Sequence, residues 1–487
     1  MHLLKSNSPH PSAPVSRDSL RQPRLASAIR RTMHVSIVEG VYAQVHASIA
    51  WPGSVFLSKL LVMLGATPFQ FGLLAAIGQF SQVFQPLGAV VTRKVTSRKG
   101  IVVTLSGIAR VLVVFYGLVP LVLEPPLAII AVLVVFLLST TLQSVAGNAW
   151  IAWISDMIPR EIRARFLARR AQILLAAGLA TGVLLGSVID AFEHGTGAIT
   201  GVVKKIFASS STFAPLNLPY CFAALFALSS VVGLIGLRIL VTQPERQKPL
   251  ERIGAAQLVA GPFRDRNFRM LLAYGCWWML TVGIGSPFWQ PFMITTLHMS
   301  LVDIQMYGLV STLASLAVLR PWGVLIDRLG NKACMRIAIV LGGINPLVWV
   351  FVTSQHHGVL YLEAVTSGIM WAGAGLIAMN FVLSIAPEDR KQIYSGVYGA
   401  CTGLAMMTTM LLSGALLPPG LEFGGRIFEP EQTLFALTGV LRWTTLIPLS
   451  WISEPLVRRR EKTLLYLWQF AKVRVEWISD LLLRPRR

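Results

Sequence analysis

Charged side chains lie inside several long hydrophobic stretches of this sequence. The clearest are Glu39, His46, Arg110 and Glu363. An ionisable group in a hydrocarbon environment is costly, so such a residue is usually functional or tightly paired. A carboxylate or an imidazole there could bind and release a proton as its exposure changes. Other interpretations stay open: Glu39 and Glu363 could reach interfacial water, and Arg110 could be structural or anion-binding.

Amide and indole side chains occur in the same stretches. They are Gln44, Gln143, Asn148, Trp277, Trp278, Trp289, Gln290, Trp371 and Asn380. Such a lining suits an amphipathic organic solute, although several of the tryptophans could instead anchor at the membrane interface. The sequence has no His-rich metal cluster, nucleophile elbow or phosphate-binding glycine loop. We therefore predict neither an enzyme nor a cofactor, and no direct use of ATP.

Membrane helices are the elements that must position these residues. The chain has 487 residues, of which 54% are hydrophobic and 13% are charged, and this balance cannot cover a water-soluble surface. Its formal charge of +21 would suggest nucleic acid in a soluble chain. Here the basic residues fall in short runs between hydrophobic stretches, where they would face anionic lipid. We predict a lipid bilayer as partner and no nucleic acid.

The hydrophobic segments, numbered here as spans 1 to 12, fall into two groups of six. They cover about 33–62, 68–92, 100–122, 126–154, 167–190 and 217–241, and then begin near 267, 301, 333, 358, 392 and 432. Each is long enough to cross a bilayer as a helix. The predicted fold class is an all-α transmembrane bundle of twelve helices in two pseudo-symmetric six-helix halves.

The predicted domain organisation follows from these groups. Residues 33–241 and 267–455 form the halves, and residues 242–266 form a central cytoplasmic loop. Residues 1–32, rich in Ser, Pro and Arg, are expected to be a disordered N-terminal tail without a signal peptide. Residues 456–487 alternate basic and hydrophobic side chains and are too charged to span. They are expected to form a basic amphipathic cytoplasmic tail.

Lysine and arginine predict the orientation. The connections after spans 2, 4, 6, 8 and 10 contain Arg93, Lys94, Arg98, Lys99, Arg160, Arg163, Arg165, Arg169, Arg170, Arg246, Lys248, Arg252, Arg264, Arg266, Arg328, Lys332, Arg336, Arg390 and Lys391. The other connections offer little beyond Lys204, Lys205 and Arg426. Since basic loops stay on the cytoplasmic side, both termini are predicted to be cytoplasmic in a multi-pass protein of the plasma (inner) membrane.

An internal repeat relates the halves. Gly53-Ser54-Val55-Phe56 matches Gly285-Ser286-Pro287-Phe288, Gly72 matches Gly308, and Gln85-Pro86-Leu87-Gly88 matches Arg320-Pro321-Trp322-Gly323, at offsets of about 232 to 236 residues. An ordered series at a near-constant offset indicates duplication of a six-helix unit. Two such halves can rock about a central cavity, and this motion produces alternating access.

The run from Gly323 to Lys332 reads Gly-Val-Leu-Ile-Asp-Arg-Leu-Gly-Asn-Lys and resembles the signature loop of the major facilitator superfamily. The resemblance implies that Asp327 caps or pairs with a neighbouring helix end. It also implies that Arg328 and Lys332 hold the cytoplasmic gate closed when the cavity opens outward. Gly330 would permit the tight turn between two helices.

The corresponding run of the first half begins at Gly88 and keeps a basic residue at Arg93, but it departs from the family pattern. Thr92 stands at the acidic position and Val95 at the glycine position. Basic loops of this kind could also serve only to set topology. In this superfamily spans 1, 4, 7 and 10 usually line the cavity. The resemblance therefore implies that Glu39, His46 and Glu363 lie within reach of substrate or protons.

Small residues recur at four-residue spacing in two spans. Span 5 contains Gly178, Gly182 and Gly186, and span 11 contains Ser395, Gly399 and Gly403. Each set would form one smooth helix face for close packing. We predict that these faces lie at the seam between the halves.

The function predicted is secondary active transport of a small organic solute by alternating access, coupled to protons or another gradient. The alternative is a transporter-derived membrane sensor or assembly factor without transport activity, suggested by the altered first-half loop and the basic tail. The sequence does not determine the substrate, the coupling ion, or whether the protein is an importing permease or an efflux protein. The oligomeric state is equally open, with a monomer plausible.

Overall fold

The computed structural model describes residues 23–83, 97–194, 218–245, 261–387 and 390–453. In the first half, span 1 comprises Pro23–Ala50 and Val55–Met63, span 2 Pro68–Val83, span 3 Arg98–Leu112 and Val114–Val122, span 4 Pro125–Met157, span 5 Arg160–His194 and span 6 Leu218–Val241. In the second half, span 7 comprises Arg266–Gly285 and Trp289–Thr295, span 8 Leu301–Leu329, span 9 Asn331–Val350, span 10 Val359–Ile385, span 11 Lys391–Ala415 and span 12 Pro430–Thr444 and Leu446–Trp451.

The described part of the chain is almost entirely helical. Ten of its helical segments are long and hydrophobic enough to cross a membrane. The remaining two spans are span 2, of which 16 residues are described, and span 12, which consists of two shorter helices. A short 3-10 turn at Pro262–Arg264 precedes span 7. Strands β1 (Leu421–Phe423) and β2 (Arg426–Phe428) form an antiparallel hairpin before span 12.

The helix that forms span 1 begins earlier than the sequence analysis predicts. Residues 23–32, expected to be part of a disordered tail, are helical. Ile29 and Thr32 are buried there, so contacts with the rest of the bundle stabilise these extra turns. The other predicted domain boundaries stay predictions, because residues 1–22, 246–260 and 454–487 lie outside the described residues.

Spans 1 and 7 are broken at matching positions of the internal repeat. Span 1 is interrupted at residues 51–54, and span 7 is interrupted at residues 286–288. At the first break Gly53 has a φ of 88°, which favours glycine, and Ser54 Oγ donates a hydrogen bond of 2.6 Å to the Ile49 carbonyl oxygen. The repeat detected in the sequence therefore corresponds to a repeated helix break.

Two lysines occupy matching positions at the ends of spans 3 and 9. Lys99 Nζ lies 3.3 Å from the carbonyl oxygen of Gln243, just after span 6. Lys332 Nζ donates to the carbonyl oxygens of Ser450 and Ile452 at 2.7 and 2.9 Å, at the end of span 12. A cation at the C-terminal end of a helix satisfies free carbonyl groups and complements the helix dipole. In this conformation both lysines therefore tie helices within their own half.

Close packing of spans 8 and 10 depends on Gly368. Any β-carbon at Gly368 would overlap the backbone carbonyl oxygen of Ser311, which cannot move away as a side-chain end could. We expect Gly368→Val to destabilise the second half by about 1–3 kcal/mol through overpacking. The measurement is the unfolding temperature of the purified protein in detergent. Gly375→Val, on the same helix with no atom within 4 Å of its β-carbon position, is the matched control.

Candidate transport cavity

Two adjoining cavities lie at the junction of the halves. The first-half cavity, of about 550 Å³, is lined mainly by spans 1, 3, 4 and 5, and the second-half cavity, of about 690 Å³, mainly by spans 2, 7, 8, 9, 10 and 11. Trp51, Pro52, Gly53 and Val55, at the break in span 1, line both, as does Gln305 on span 8. The break therefore separates two parts of one space that is large enough for a small organic molecule.

An ionic cluster joins four spans of the first half. Arg110 on span 3 lies 3.1 Å from Glu39 Oε1 on span 1 and also donates to the carbonyl oxygen of Gly233 on span 6. Arg170 on span 5 lies 3.8 Å from Glu39 Oε2 and donates to the Ser36 carbonyl oxygen at 3.0 Å. Glu39 and Arg110 are 4% and 3% exposed, so Glu39 does not reach interfacial water in this conformation.

His46 belongs to the same wall of the first-half cavity. Its Nδ1 lies 3.0 Å from both the carbonyl oxygen and the hydroxyl of Ser229 on span 6. Its ring also packs against Gly233, where a β-carbon would lie 3.1 Å from it. Gln44 and Gln143, two of the amides selected from the sequence, line this cavity as well.

A second cluster lines the second-half cavity. The Tyr307 hydroxyl on span 8 donates to Glu363 Oε2 on span 10 at 2.7 Å. Arg442 on span 12 donates to the Gly342 carbonyl oxygen on span 9 at 2.9 Å. Its guanidinium carbon lies 5.8 Å from the ring centres of both Trp278 and Trp371, as in a cation–π contact. Tyr307, Glu363, Trp371 and Arg442 all line the cavity.

The two arginines form a reciprocal pair. Arg110 reaches from span 3 to a glycine on span 6, whereas Arg442 reaches from span 12 to a glycine on span 9. Spans 3 and 9 correspond in the internal repeat, and Gly342 follows Arg110 at the repeat offset. Spans 6 and 12 also correspond. The first half therefore has arginine on span 3 and glycine on span 6, whereas the second half has glycine on span 9 and arginine on span 12. The sequence analysis missed Arg442. Arg442 could have been found in the same way as Arg110, because it also interrupts a hydrophobic stretch.

An aspartate joins the halves at one end of the bundle. Asp190, near the end of span 5, accepts hydrogen bonds from the backbone N–H groups of Leu301 and Val302 at 2.9 and 3.0 Å. These are free N–H groups of the first turn of span 8, where the helix dipole favours an anion. The contact spans the boundary between the halves, and we call it the Asp190 latch. The sequence analysis did not select Asp190, although it is an acidic residue at the edge of a hydrophobic span.

Further contacts close the same end, which we call the sealed end. Ser58 donates to Gln290 Oε1 at 2.6 Å, and Gln290 Nε2 donates to the Gly53 carbonyl oxygen at 2.8 Å. Gln290 therefore uses its amide to hold the two helix breaks together. Gly72 on span 2 also allows close approach, because a β-carbon there would lie 2.6 Å from the Met410 carbonyl oxygen on span 11.

The predicted packing glycines behave differently in the two halves. Gly182 and Gly186 approach Gln305 and Leu301 across the boundary between the halves, while Gly178 packs within its half against Gln44. Gly399 and Gly403 have no atom within 4 Å of their β-carbon positions. The close packing predicted for Gly399 and Gly403 is therefore not seen in this conformation, although span 11 does pack against span 2 across the boundary near Gly414.

The remaining predicted residues lie away from the cavities or outside the described ranges. Asn148 and Asn380 are half-buried and are not among the cavity-lining residues, and Trp277 is exposed and donates to Thr444. Asp327 and Arg328 are exposed at the end of span 8, and Gly330 turns the chain with a φ of 85°. No atom lies near the β-carbon position of Gly323. Gly88 and Arg93 lie outside the described residues.

Two helical halves of membrane-crossing length, with polar cavities at their junction, define a multi-pass membrane transporter. The family model of the Major Facilitator Superfamily matches residues 41–410. The chain belongs to this family and is a membrane transporter. No curated protein sequence matches the chain.

Several solved transporter structures share the fold. The nucleoside transporter NupG has a TM-score of 0.60 at 12% identity, covering 87% of this chain and 99% of that one. The xylose transporter XylE from E. coli, in an inward-open conformation, has a TM-score of 0.62 at 12% identity, covering 90% and 99%. A POT family transporter in complex with 5-aminolevulinic acid has a TM-score of 0.57 at 10% identity, covering 86% and 95%. At these identities the similarity establishes the fold alone.

Proposed function

We propose that this chain is a secondary active transporter that moves a small organic solute by alternating access and couples this movement to protons or another gradient. The observation that carries the proposal is Glu363, a carboxylate that is 4% exposed, lines the second-half cavity and accepts a hydrogen bond from Tyr307. Such a carboxylate in a membrane span is suited to bind a proton when facing one side and release it when facing the other.

The conformation is consistent with one end state of that cycle. The contacts of the sealed end hold the halves together at the Asp190 latch, whereas Gly399 and Gly403 border open space further along span 11. With the orientation predicted from the basic loops, the sealed end is extracellular or periplasmic and the cavity opens to the cytoplasm. The opposite state requires the sealed end to separate and the loop around Asp327, Arg328 and Lys332 to close.

The lining supports an organic solute. Trp51, Trp289 and Trp371 offer aromatic surfaces, while Gln44, Gln143 and Gln305 offer hydrogen-bonding amides. The structures with the same fold include a nucleoside transporter and a xylose transporter. A nucleoside or a pentose is of a size that these cavities would hold. No described feature specifically favours the alternative of a sensor or assembly factor.

Glu363→Gln tests the coupling. We expect this variant, reconstituted in liposomes, to lose solute accumulation driven by an imposed proton gradient, because the amide can neither bind nor release the proton. Exchange of the solute between equal concentrations should remain, since it needs no net proton movement. The assay screens a metabolite panel for flux and follows internal pH with a trapped dye.

Glu422→Gln, on the exposed β1 strand, is the matched control and should accumulate solute as the unmodified protein does. Accumulation that persists in Glu363→Gln would contradict the role of this carboxylate. Absence of any gradient-dependent flux in the unmodified protein across the panel would contradict coupled transport itself.

A further inference from the structure

We propose that Arg442 recognises an anionic group, a carboxylate or a phosphate, on the transported solute in the second-half cavity. This inference rests on the proposed transport function and specifies its substrate class. Arg442 lies on the cavity wall and is 4% exposed. A buried guanidinium is always charged and needs a compensating anion in a hydrophobic bundle.

The surroundings of Arg442 leave its charge without a direct partner. Nη1 donates to the Gly342 carbonyl oxygen, and Nε has no hydrogen-bond partner among the described residues. Within the described ranges, no carboxylate oxygen lies within 4 Å of this guanidinium. The faces of Trp278 and Trp371 stabilise a cation but do not neutralise it. Arg110 also has an Nε without a partner in the described residues, so the missing carboxylate is what distinguishes Arg442. An anionic ligand would supply that charge.

Arg110 shows what a compensated arginine looks like in this protein. It occupies the reciprocal position in the first half and makes the same contact with a glycine carbonyl group. Unlike Arg442, it has a carboxylate at 3.1 Å, provided by Glu39. The internal repeat therefore provides one paired and one unpaired arginine, and the unpaired one borders the larger cavity.

Glu363 is the internal competitor for Arg442. It lines the same cavity, but Tyr307 holds its carboxylate, and it makes no ion pair with Arg442 within 4 Å. An ionised Glu363 would oppose the entry of a second anion by charge repulsion. A neutral Glu363 would not repel the ligand, which could then interact with the positive charge of Arg442. Trp289 and Trp371 line the cavity beside these charges, so an anion attached to a ring or an aliphatic body would fit the site.

The test uses binding to the purified full-length protein in detergent, measured as a shift of the unfolding temperature and as quenching of tryptophan fluorescence. The probes are matched pairs that differ in charge: benzoate and benzamide, gluconate and glucose, glucose 6-phosphate and glucose. We expect at least one anion to bind and its neutral partner not to bind. Comparison of the carboxylate pairs with the phosphate pair shows whether the site prefers a carboxylate or a phosphate.

Three variants locate the effect. Arg442→Gln should weaken binding of the preferred anion by about tenfold or more, since a charged hydrogen bond is lost. Glu363→Gln should strengthen it, because the competing charge is removed. Arg264→Gln, an exposed arginine before span 7, is the matched control and should not change it. If Arg442→Gln does not fold, Arg442→Lys keeps the charge but loses the fork geometry, and should retain anion preference with weaker binding.

The inference is overturned if the neutral partners bind as well as the anions, if a folded Arg442→Gln variant binds the anion unchanged, or if no anion of the panel binds. Flux measurements in liposomes separate this inference from the proposed function. An anion that binds through Arg442 but is never transported would contradict transport while leaving the anion site in place. Gradient-driven flux without preference for anions would support transport and contradict the anion site.

Discussion

Replacing Glu39 by glutamine is expected to lower the free energy of unfolding by about 3–5 kcal/mol, because it leaves buried charges without their partner. Both Arg110 and Arg170 face this single carboxylate, at 3.1 and 3.8 Å. The amide keeps the shape of the side chain but cannot neutralise either guanidinium. The measurement is the unfolding temperature in detergent, together with the yield of monodisperse protein.

The order of a small series of variants decides whether charge is the cause. Arg110→Gln should be milder than Glu39→Gln, because Arg170 remains to pair with the carboxylate. The double variant Glu39→Gln with Arg110→Gln should be more stable than Glu39→Gln alone, since it removes the closest pair as a unit. If the double variant instead loses the sum of the two single effects, Glu39 stabilises the bundle by packing and not by charge.

Replacing Asp190 by asparagine is expected to shift the protein away from the conformation with the sealed end closed. The carboxylate accepts two hydrogen bonds from backbone N–H groups of span 8, and bonds to a charged group are each worth about 1.5–3 kcal/mol. Asparagine keeps one acceptor and places a donor where the second was. We therefore expect the closed population to fall by about tenfold or more relative to the open one.

The shift can be measured as a distance between the halves. Spin labels on cysteines placed at Thr67 and Thr295, both exposed at the sealed end, report its opening in a variant without the native cysteines. Glu193→Gln is the matched control. Glu193 lies three residues further along span 5 but pairs with Lys59 of its own half near the surface, where such a pair is worth about 0–1 kcal/mol. Equal opening by both substitutions would rule out the latch.

The fold could be predicted from the sequence because hydrophobic length and basic loops are local signals. The repeat from Gly53 to Phe56 and from Gly285 to Phe288 even marked the two helix breaks. The ionisable positions Glu39, His46, Arg110 and Glu363 were also visible, since each interrupts a hydrophobic run.

Pairing across helices could not be predicted, because it depends on which faces meet. Arg170 looked like one of several loop arginines that set topology, yet it contacts Glu39 and lies 4.5 Å from the Trp150 ring. Gln290 lines the second-half cavity, as an amide selected from the sequence was expected to, but its contacts across the two helix breaks could not be predicted. Gly399 was expected to pack closely, but no atom lies within 4 Å of its β-carbon position, and residue type alone does not determine which helix faces meet.

In the proposed transport cycle, the break in span 1 would link solute binding to opening of the sealed end. The segment from Trp51 to Val55 partitions the interior, and its Gly53 carbonyl oxygen is also held by Gln290 of the opposite half. A solute bound against Trp51 would contact the same few residues whose contacts must break when the halves separate. Solute binding in the cavities and opening of the sealed end would therefore both move the segment from Trp51 to Val55.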